Sequence, residues 1–254
     1  MLETVKFDKK TAKTIAHRGL SAFETENTLA AFIAAGNHDG YYGIETDVHK
    51  TLDGKFVIIH DDDLKRIAGL NYVVEQTNYD ELKKVKLFEC NSGVLDGDGT
   101  TLKENSRTDL YIPDLDEYIN VCKKYGKVAV LEIKNHMEKE DIQNIVEIID
   151  KCDYLKKTTF ISFDIENLVA LRKIYKQADI QFLSCKIDDL LEKMPIVEKY
   201  KMDLDLGYWI LTEELVKSFK AKGIKINVWT PSKKEDAERL VNWGVDFITS
   251  NSLE

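Results

Sequence analysis

Within residues 15–60, the histidines His17 and His60, the arginine Arg18 and the carboxylates Glu45 and Asp47 each stand in or at the end of a short apolar run. His17-Arg18-Gly19 closes the run Thr14-Ile15-Ala16. Glu24-Thr25-Glu26-Asn27-Thr28 opens a helical pattern, Glu45-Thr46-Asp47 lies in a second apolar run, and Ile58-Ile59-His60-Asp61 ends a third. Imidazoles exchange protons near neutral pH, so His17 and His60 could serve the attacking and leaving oxygens of a phosphodiester. Arg18 offers a planar fork that suits phosphate; the alternative is an ion pair with Glu24 or Glu26. Gly19 permits a turn or a close backbone approach. These are the parts of a metal-assisted phosphoryl-transfer site.

Side chains alternate across a strand, so Glu45 and Asp47 share one face, as do Glu132 and Lys134 further along the chain. Three carboxylates brought together repel one another unless a cation sits among them. Oxygen-only ligands favour a hard cation, Mg²⁺ or Ca²⁺. The competing reading is a rim network of ion pairs with Lys134 and Arg18, and spacing alone leaves both open. His38, His49 and His136 read as structural, although His49 shares strand parity with Asp47. Trp229 ends a late strand and would wall a site mouth with Phe163, Tyr208 and Trp209, as packing or as a surface for an apolar or quaternary-ammonium group.

The elements that must position these groups follow one rhythm. Short apolar runs alternate with amphipathic helical patterns, which predicts βα units around a parallel sheet. Strands are expected at 14–16, 43–48, 128–134, 159–163, 180–185, 204–208, 225–230 and 246–250. Helical stripes are expected at Leu29, Phe32, Ile33 and Gly36; Leu115, Tyr118, Ile119 and Cys122, with Asp114 as N-cap; and Ile142, Ile145, Val146 and Ile149. Further stripes follow at Leu168, Leu171 and Tyr175, then Leu190, Leu191 and Met194, then Leu215, Val216 and Phe219, then Ala237, Leu240 and Val241. Asp53-Gly54 predicts a hairpin, making 55–60 an antiparallel extension of the second strand. Eight parallel strands predict a TIM (β/α)8 barrel, with no final helix or with the N-terminal segment in its place. A doubly wound sheet would bring a glycine-rich phosphate loop after the first strand, and none is present.

Residues 62–110 interrupt the rhythm and are rich in Gly, Asn and Asp. They read as a small insertion at the barrel mouth that shapes specificity. Asp96-Gly97-Asp98-Gly99-Thr100 reads as a turn, since the ligand series of a calcium loop is incomplete. One domain is expected over 1–254.

The 254 residues carry a net charge of −9, which argues against a nucleic-acid partner. There is no apolar run long enough to span a membrane, so no stable insertion is expected. Met1–Thr14 is polar and lysine-rich, unlike a secretory signal. Cys90, Cys122, Cys152 and Cys185 form no paired motif, which suits reduced thiols in the cytoplasm. The oligomeric state is not set by the sequence.

The motifs AHRG at 16–19, ENTLAAF at 26–32, GIETDV at 43–48, VIIHDD at 57–62, IPDLDEYI at 112–119, LEIK at 131–134, NVWT at 227–230 and GVDFITS at 244–250 resemble the glycerophosphodiester phosphodiesterase family. They run in family order over nearly the whole chain. The resemblance implies a TIM barrel, one divalent cation, and hydrolysis of a small-molecule glycerophosphodiester to sn-glycerol 3-phosphate and an alcohol. It implies Glu45, Asp47 and Glu132 as metal ligands, His17 and His60 as the acid–base pair, Arg18 and Lys134 at the phosphate, and Trp229 beside the site. The chain departs at Thr25, where the family commonly has proline, at Pro231-Ser232, and at Thr249-Ser250-Asn251-Ser252, where an Asp is frequent. Two other readings keep the site: a lysophospholipid or another phosphodiester as substrate, with a cyclic product possible, and a non-catalytic binder of glycerophosphoryl compounds.

Overall fold

The apolar runs close on themselves. In a computed structural model, which describes residues 3–96, 99–104 and 107–254, eight parallel strands form a barrel: β1 (Lys13–Ala16), β2 (Tyr41–Lys50), β6 (Val128–Ile133), β7 (Thr158–Ser162), β8 (Asp179–Ser184), β9 (Asp203–Gly207), β10 (Ile226–Trp229) and β11 (Phe247–Ser250). Consecutive members pair in parallel, β1 pairs with β11, and a β1–β2 pairing closes the ring. β3 (Phe56–Ile58) runs antiparallel to the end of β2 and stays outside the ring, as the Asp53-Gly54 turn predicts. β4 (Glu89–Asp96) and β5 (Gly99–Lys103) form a separate hairpin. The turn expected at Asp96–Thr100 lies partly outside the described residues.

Between the barrel strands run the helices Leu29–Gly36, Leu115–Tyr125, Lys139–Lys151, Ile165–Ile174, Ile187–Tyr200, Glu213–Ala221 and Lys234–Trp243. Their starts follow from local chemistry. Thr28 accepts from the Ala31 amide and caps the first, while Glu117 accepts from the Asp114 amide in a capping box on the second. The buried face of the first helix differs from the expected stripe. It consists of Ala31, Phe32, Ala35 and Gly36, and Ile33 is exposed. The cause is close approach: a Cβ on Gly19 would stand 2.7 Å from Ala31, and one on Gly36 would meet the Tyr125 ring. Small residues are required where that face meets Gly19 and Tyr125, at Ala31 and Gly36. Leu191, expected in a later stripe, is also exposed.

The helices and the outer sheet face share one large apolar core. Inside the barrel the interior splits into two sides. Ile15, Val128, Val130, Ile161 and Leu183 form an apolar cluster with Trp229 and Phe247, while Gln181, Asp205, Asn227 and Thr249 are buried polar residues on β8 to β11. The insertion is more ordered than its composition suggests. Leu64, Ile67, Val74, Leu82, Val85, Leu87, Leu110 and Ile112 pack with Val57 and Ile59 into a second core. Its contributing turns are short, so no long periodic pattern announces them in the sequence. Val5 bridges to Leu253 beyond β11, and Phe7 is buried in the main core.

Candidate active site

Parity and register together assemble the carboxylates. β2 and β6 pair with Asp47 opposite Glu132, and Glu45 lies two residues back on the same face. One oxygen from each of Glu45, Asp47 and Glu132 lies within 4.8 Å of the others, and all three residues are buried. This is a donor set that could hold a hard divalent cation. The charges report the crowding. Burial first, then the Asp47 charge, pushes the Glu45 carboxyl well above the usual carboxylate range. Burial also raises Glu132, offset in part by Lys134. Burial acts the same way on Asp47, but the positive charges of His60, Lys134 and Arg18 outweigh it and hold its carboxyl below its ordinary value. Lys134 Nζ stands 3.0 Å from Glu132 Oε1 and 3.7 Å from Asp47 Oδ1.

The loop after β1 wraps onto this trio. Arg18 and Asn27 adopt positive φ of 54°, and Gly19 has φ 79°. The Arg18 amide donates to Glu45 Oε2 at 2.8 Å, so the backbone itself orients a carboxylate. Each residue of Glu26-Asn27-Thr28 has a separate task. Glu26 pairs with Arg18 at 2.9 Å. Asn27 Nδ2 donates to Asp47 Oδ2 at 2.8 Å while its Oδ1 accepts from Thr46 at 2.6 Å. Thr28 caps the helix. The Arg18 guanidinium therefore combines the two sequence readings: it lines the cavity and is also paired with Glu26.

Both histidines are fixed through Nδ1. His17 Nδ1 donates to Asn251 Oδ1 at 2.7 Å, and Asn251 Oδ1 also accepts from Ser21 Oγ at 2.9 Å. His60 Nδ1 donates to Asp61 Oδ1 at 2.7 Å. Each ring keeps Nε2 for other work, and His17 Nε2 lies 4.0 Å from Glu45 Oε2. Burial, and then the neighbouring Arg18 charge, pulls the His17 imidazole down to about 4. His49, expected to be structural, is fully buried behind His60 and its Nε2 donates to the His60 carbonyl at 3.2 Å. His38 pairs with Glu254 and the exposed His136 with Asp164.

Arg66, from the insertion, had no role in the sequence reading. It forks onto Asp61 through Nε at 2.8 Å and onto Glu26 through Nη2 at 2.6 Å and Nη1 at 2.9 Å. A continuous chain of charges thus runs from Arg18 through Glu26, Arg66 and Asp61 to His60. Burial alone would raise the Glu26 carboxyl; the Arg18 and Arg66 guanidiniums outweigh it and pull the group to about 2. The insertion is therefore part of the frame that holds His60.

A cavity of about 190 Å³ opens between these groups, lined by His17, Arg18, Glu45, His60, Glu132, Asp205 and Trp229 among others. Trp229 stacks edge-on against Phe163 and Trp209, with centroids 5.9 and 5.2 Å away. Phe163 and Trp209 are exposed, so the aromatics form a rim. Asp205 is buried in the opposite sense: its carboxyl is pushed well above the usual range by burial, then by the Glu132 charge. Of the residues singled out in the sequence, His17, Arg18, Glu45, His60, Glu132 and Trp229 line this one cavity, and Asp47 and Lys134 adjoin it through Glu132. Asn27, Arg66, Asp205 and Asn251 were missed as contributors. Asn27 sits in the ENTLAAF segment that carries the family resemblance, which is the one signal that could have marked it, whereas Asn251 lies just past the last such segment.

A closed (β/α)8 barrel with histidines and carboxylates gathered around one cavity near its strand ends is an arrangement that barrel enzymes share. The glycerophosphoryl diester phosphodiesterase family matches residues 17–254. The chain is 31% identical over 250 residues to a glycerophosphodiester phosphodiesterase of Caldanaerobacter subterraneus subsp. tengcongensis, covering 94% of each chain. It superposes with TM-score 0.80 at 26% identity on an Oleispira antarctica phosphodiesterase solved with the product sn-glycerol-3-phosphate, covering 98% of this chain and 96% of that one. A Thermotoga maritima glycerophosphodiester phosphodiesterase matches with TM-score 0.71 at 29% identity, covering 95% of both chains. The chain belongs to the glycerophosphoryl diester phosphodiesterase family, a family of phosphoric diester hydrolases.

Proposed function

We propose that the protein hydrolyses glycerophosphodiesters to sn-glycerol 3-phosphate and an alcohol, with one divalent cation, Mg²⁺ or Ca²⁺, held by Glu45, Asp47 and Glu132. The observation that carries this is the convergence of that carboxylate trio with His17, His60 and Arg18 on one cavity. A bound cation supplies charge against a non-bridging phosphate oxygen. Arg18 and Lys134 offset the remaining phosphate charge. His17, whose imidazole is neutral at physiological pH, takes the proton of the attacking oxygen on Nε2, from water directly or from the neighbouring glycerol hydroxyl, in which case water then opens the resulting cyclic phosphate to glycerol 3-phosphate. As the new P–O bond forms, the P–O bond to the alcohol breaks, and His60 gives its Nε2 proton to the leaving oxygen. Asp61 balances the imidazolium that this requires. Trp229 borders the substrate. Residues 1–254 act as one catalytic unit, and we place it in the cytoplasm from its cysteine usage; among the described residues no helix is long and apolar enough to cross a membrane.

The test is a panel of glycerophosphodiesters assayed with Mg²⁺ and Ca²⁺ in turn, with products read by phosphorus NMR. Turnover to glycerol 3-phosphate is expected. Binding without turnover under every cation would make the protein a binder instead. A lysophospholipid preference is the second reading, and one observation favours it: the insertion exposes Leu70, Tyr72 and Val73, and its Asp62 and Glu75 accept from Asn135, just past the end of β6.

The Asn251 contact makes a pH prediction. Asn251→Asp places a carboxylate at His17 Nδ1, which favours the imidazolium and raises the His17 pKa from about 4. The base is then lost at higher pH, so the acidic limb of kcat/KM should move up by about one unit or more. An unmoved limb would take His17 out of the base role.

A further inference from the structure

His60 Nδ1 bonds to the carboxylate of its own chain neighbour, Asp61, just beyond the end of β3 at Ile58. Both side chains are partly exposed, at 27% and 24%. A pair open to water contributes little and holds no single geometry by itself. Arg66 supplies the missing constraint. Its Nε donates to Asp61 Oδ2 at 2.8 Å and its Nη2 to Oδ1 at 3.1 Å, the same oxygen that accepts from His60. The other edge of the guanidinium holds both oxygens of Glu26, which is 1% exposed. Two forked grips on one planar group fix its orientation as well as its distance. Asp61 is thereby referred to a buried carboxylate that is in turn paired with Arg18.

Arg66 is held from behind as well. It lies on the short helix Lys65–Ala68, next to the buried Ile67 and one residue past the buried Leu64, both in the second core. The Ile67 carbonyl accepts from the Phe88 amide at 2.8 Å. The Phe88 carbonyl accepts from Thr25 Oγ1 at 2.9 Å, and Thr25 Oγ1 accepts from the Cys90 amide at 2.9 Å. A proline at position 25 could make neither bond. Glu24 pairs with Arg107 at 2.8 Å. All three side chains of Glu24-Thr25-Glu26 therefore bind the insertion, and Arg66 is where that junction reaches the histidine.

We propose that Arg66 is a positioning residue for leaving-group protonation: by bridging Glu26 and Asp61 it fixes the His60 ring with Nε2 towards the cavity. This rests on the reading of His60 as the acid of a phosphodiesterase, and it gives the insertion a part in the chemical step. Lysine cannot replace Arg66 here, because an ammonium is a point charge with no fork to span two carboxylates.

The test measures kcat and KM, with the divalent cation present, on two esters: a glycerophosphodiester with an alkyl leaving group and the glycerophosphoryl p-nitrophenyl ester. Arg66→Ala should lower kcat on the alkyl ester about 10–10²-fold, the scale of a 1 Å displacement of a reacting group, with KM held within about twofold. On the nitrophenyl ester, whose leaving oxygen needs no proton, the loss should be about threefold or less. In a His60→Ala background, Arg66→Ala should cost about twofold or less in kcat, because the ring it positions is gone. Arg66→Lys, which keeps a cation beside Glu26 if the alanine variant does not fold, should show the same selective loss at smaller size. Equal losses on the two esters would overturn the proposal, by showing that Arg66 acts on the phosphate through Arg18 or on the fold. Full activity on the alkyl ester would overturn it too, since Asp61 would then hold His60 unaided. So would a large further loss in the His60→Ala background. A wild type that turns over neither ester would instead overturn the phosphodiesterase reading, and this one with it.

Discussion

His60→Ala is expected to lower kcat about 10²–10⁴-fold on glycerophosphodiesters with an alkyl leaving group, the usual contribution of a positioned acid or base. That is about 3–5 kcal/mol of barrier. The same variant should lose far less on a glycerophosphoryl p-nitrophenyl ester, because nitrophenolate leaves without a proton. His17→Ala should lose a comparable factor on both substrates, since the attacking oxygen must be deprotonated in either case. The difference follows from the partners of the two rings. Burial and the Arg18 charge keep His17 neutral, and Asn251 fixes its Nδ1. His60 is tied to the Asp61 carboxylate, itself gripped by Arg66. If the nitrophenyl ester instead spared His17→Ala, the two roles would be exchanged. Full activity in both variants would remove the histidines from the chemistry.

Chelation should abolish turnover, and either Mg²⁺ or Ca²⁺ should restore it in proportion to occupancy. The pH dependence gives the stronger check. Glu45 and Glu132 have folded-state pKa values raised above the ordinary carboxylate value, chiefly by burial. For such groups the folded form binds more protons than the unfolded chain in the interval between the two values. Stability of the metal-free protein therefore falls as pH rises from the ordinary carboxylate range through the raised values. Asp47 and Glu26 are shifted the other way, and their contribution is lost only at pH below the ordinary range. A cation that needs the ionised carboxylates binds more tightly as pH rises and releases protons when it binds. Through Glu45 and Glu132 the metal-free protein should lose stability, read as melting temperature, as pH rises above the ordinary carboxylate range, His17 with its lowered pKa opposing them below its ordinary value, and the gain on adding metal should grow as the two carboxyls ionise. A gain that stays constant with pH would place the cation elsewhere.

How much of this could be read from the chain alone follows from the range of each interaction. The barrel was legible because strand and helix periodicities are local, and eight of them in alternation leave few architectures. Glu45 and Asp47 were placed on one face by strand parity, and Glu132 joined them once the strands were taken as neighbours. The hairpin arm at β3 followed from Asp53-Gly54. The first helix was read with its face displaced, because hydrophobic size predicts burial only where there is room, and the approach of Gly19 leaves room for alanine. The second core of the insertion was missed because its turns are too short to show a period.

What the sequence by itself determined is the scaffold type and a set of candidate site residues: two histidines, three carboxylates and an arginine at or near strand ends of a βα repeat. What only the tertiary structure decided is who holds them. Arg66 reaches Glu26 and Asp61 across a 40-residue and a 5-residue separation in one fork. Asn251 meets His17 from the opposite end of the chain, 234 residues away. Asp205, which lines the cavity, stands opposite Asn227 on the neighbouring strand. Such contacts depend on barrel closure and on loop conformation, and a polar residue carries no periodic mark of its partner. The physical reason is that local backbone preferences place a side chain on an element, whereas its hydrogen-bond partner is chosen by how the elements pack.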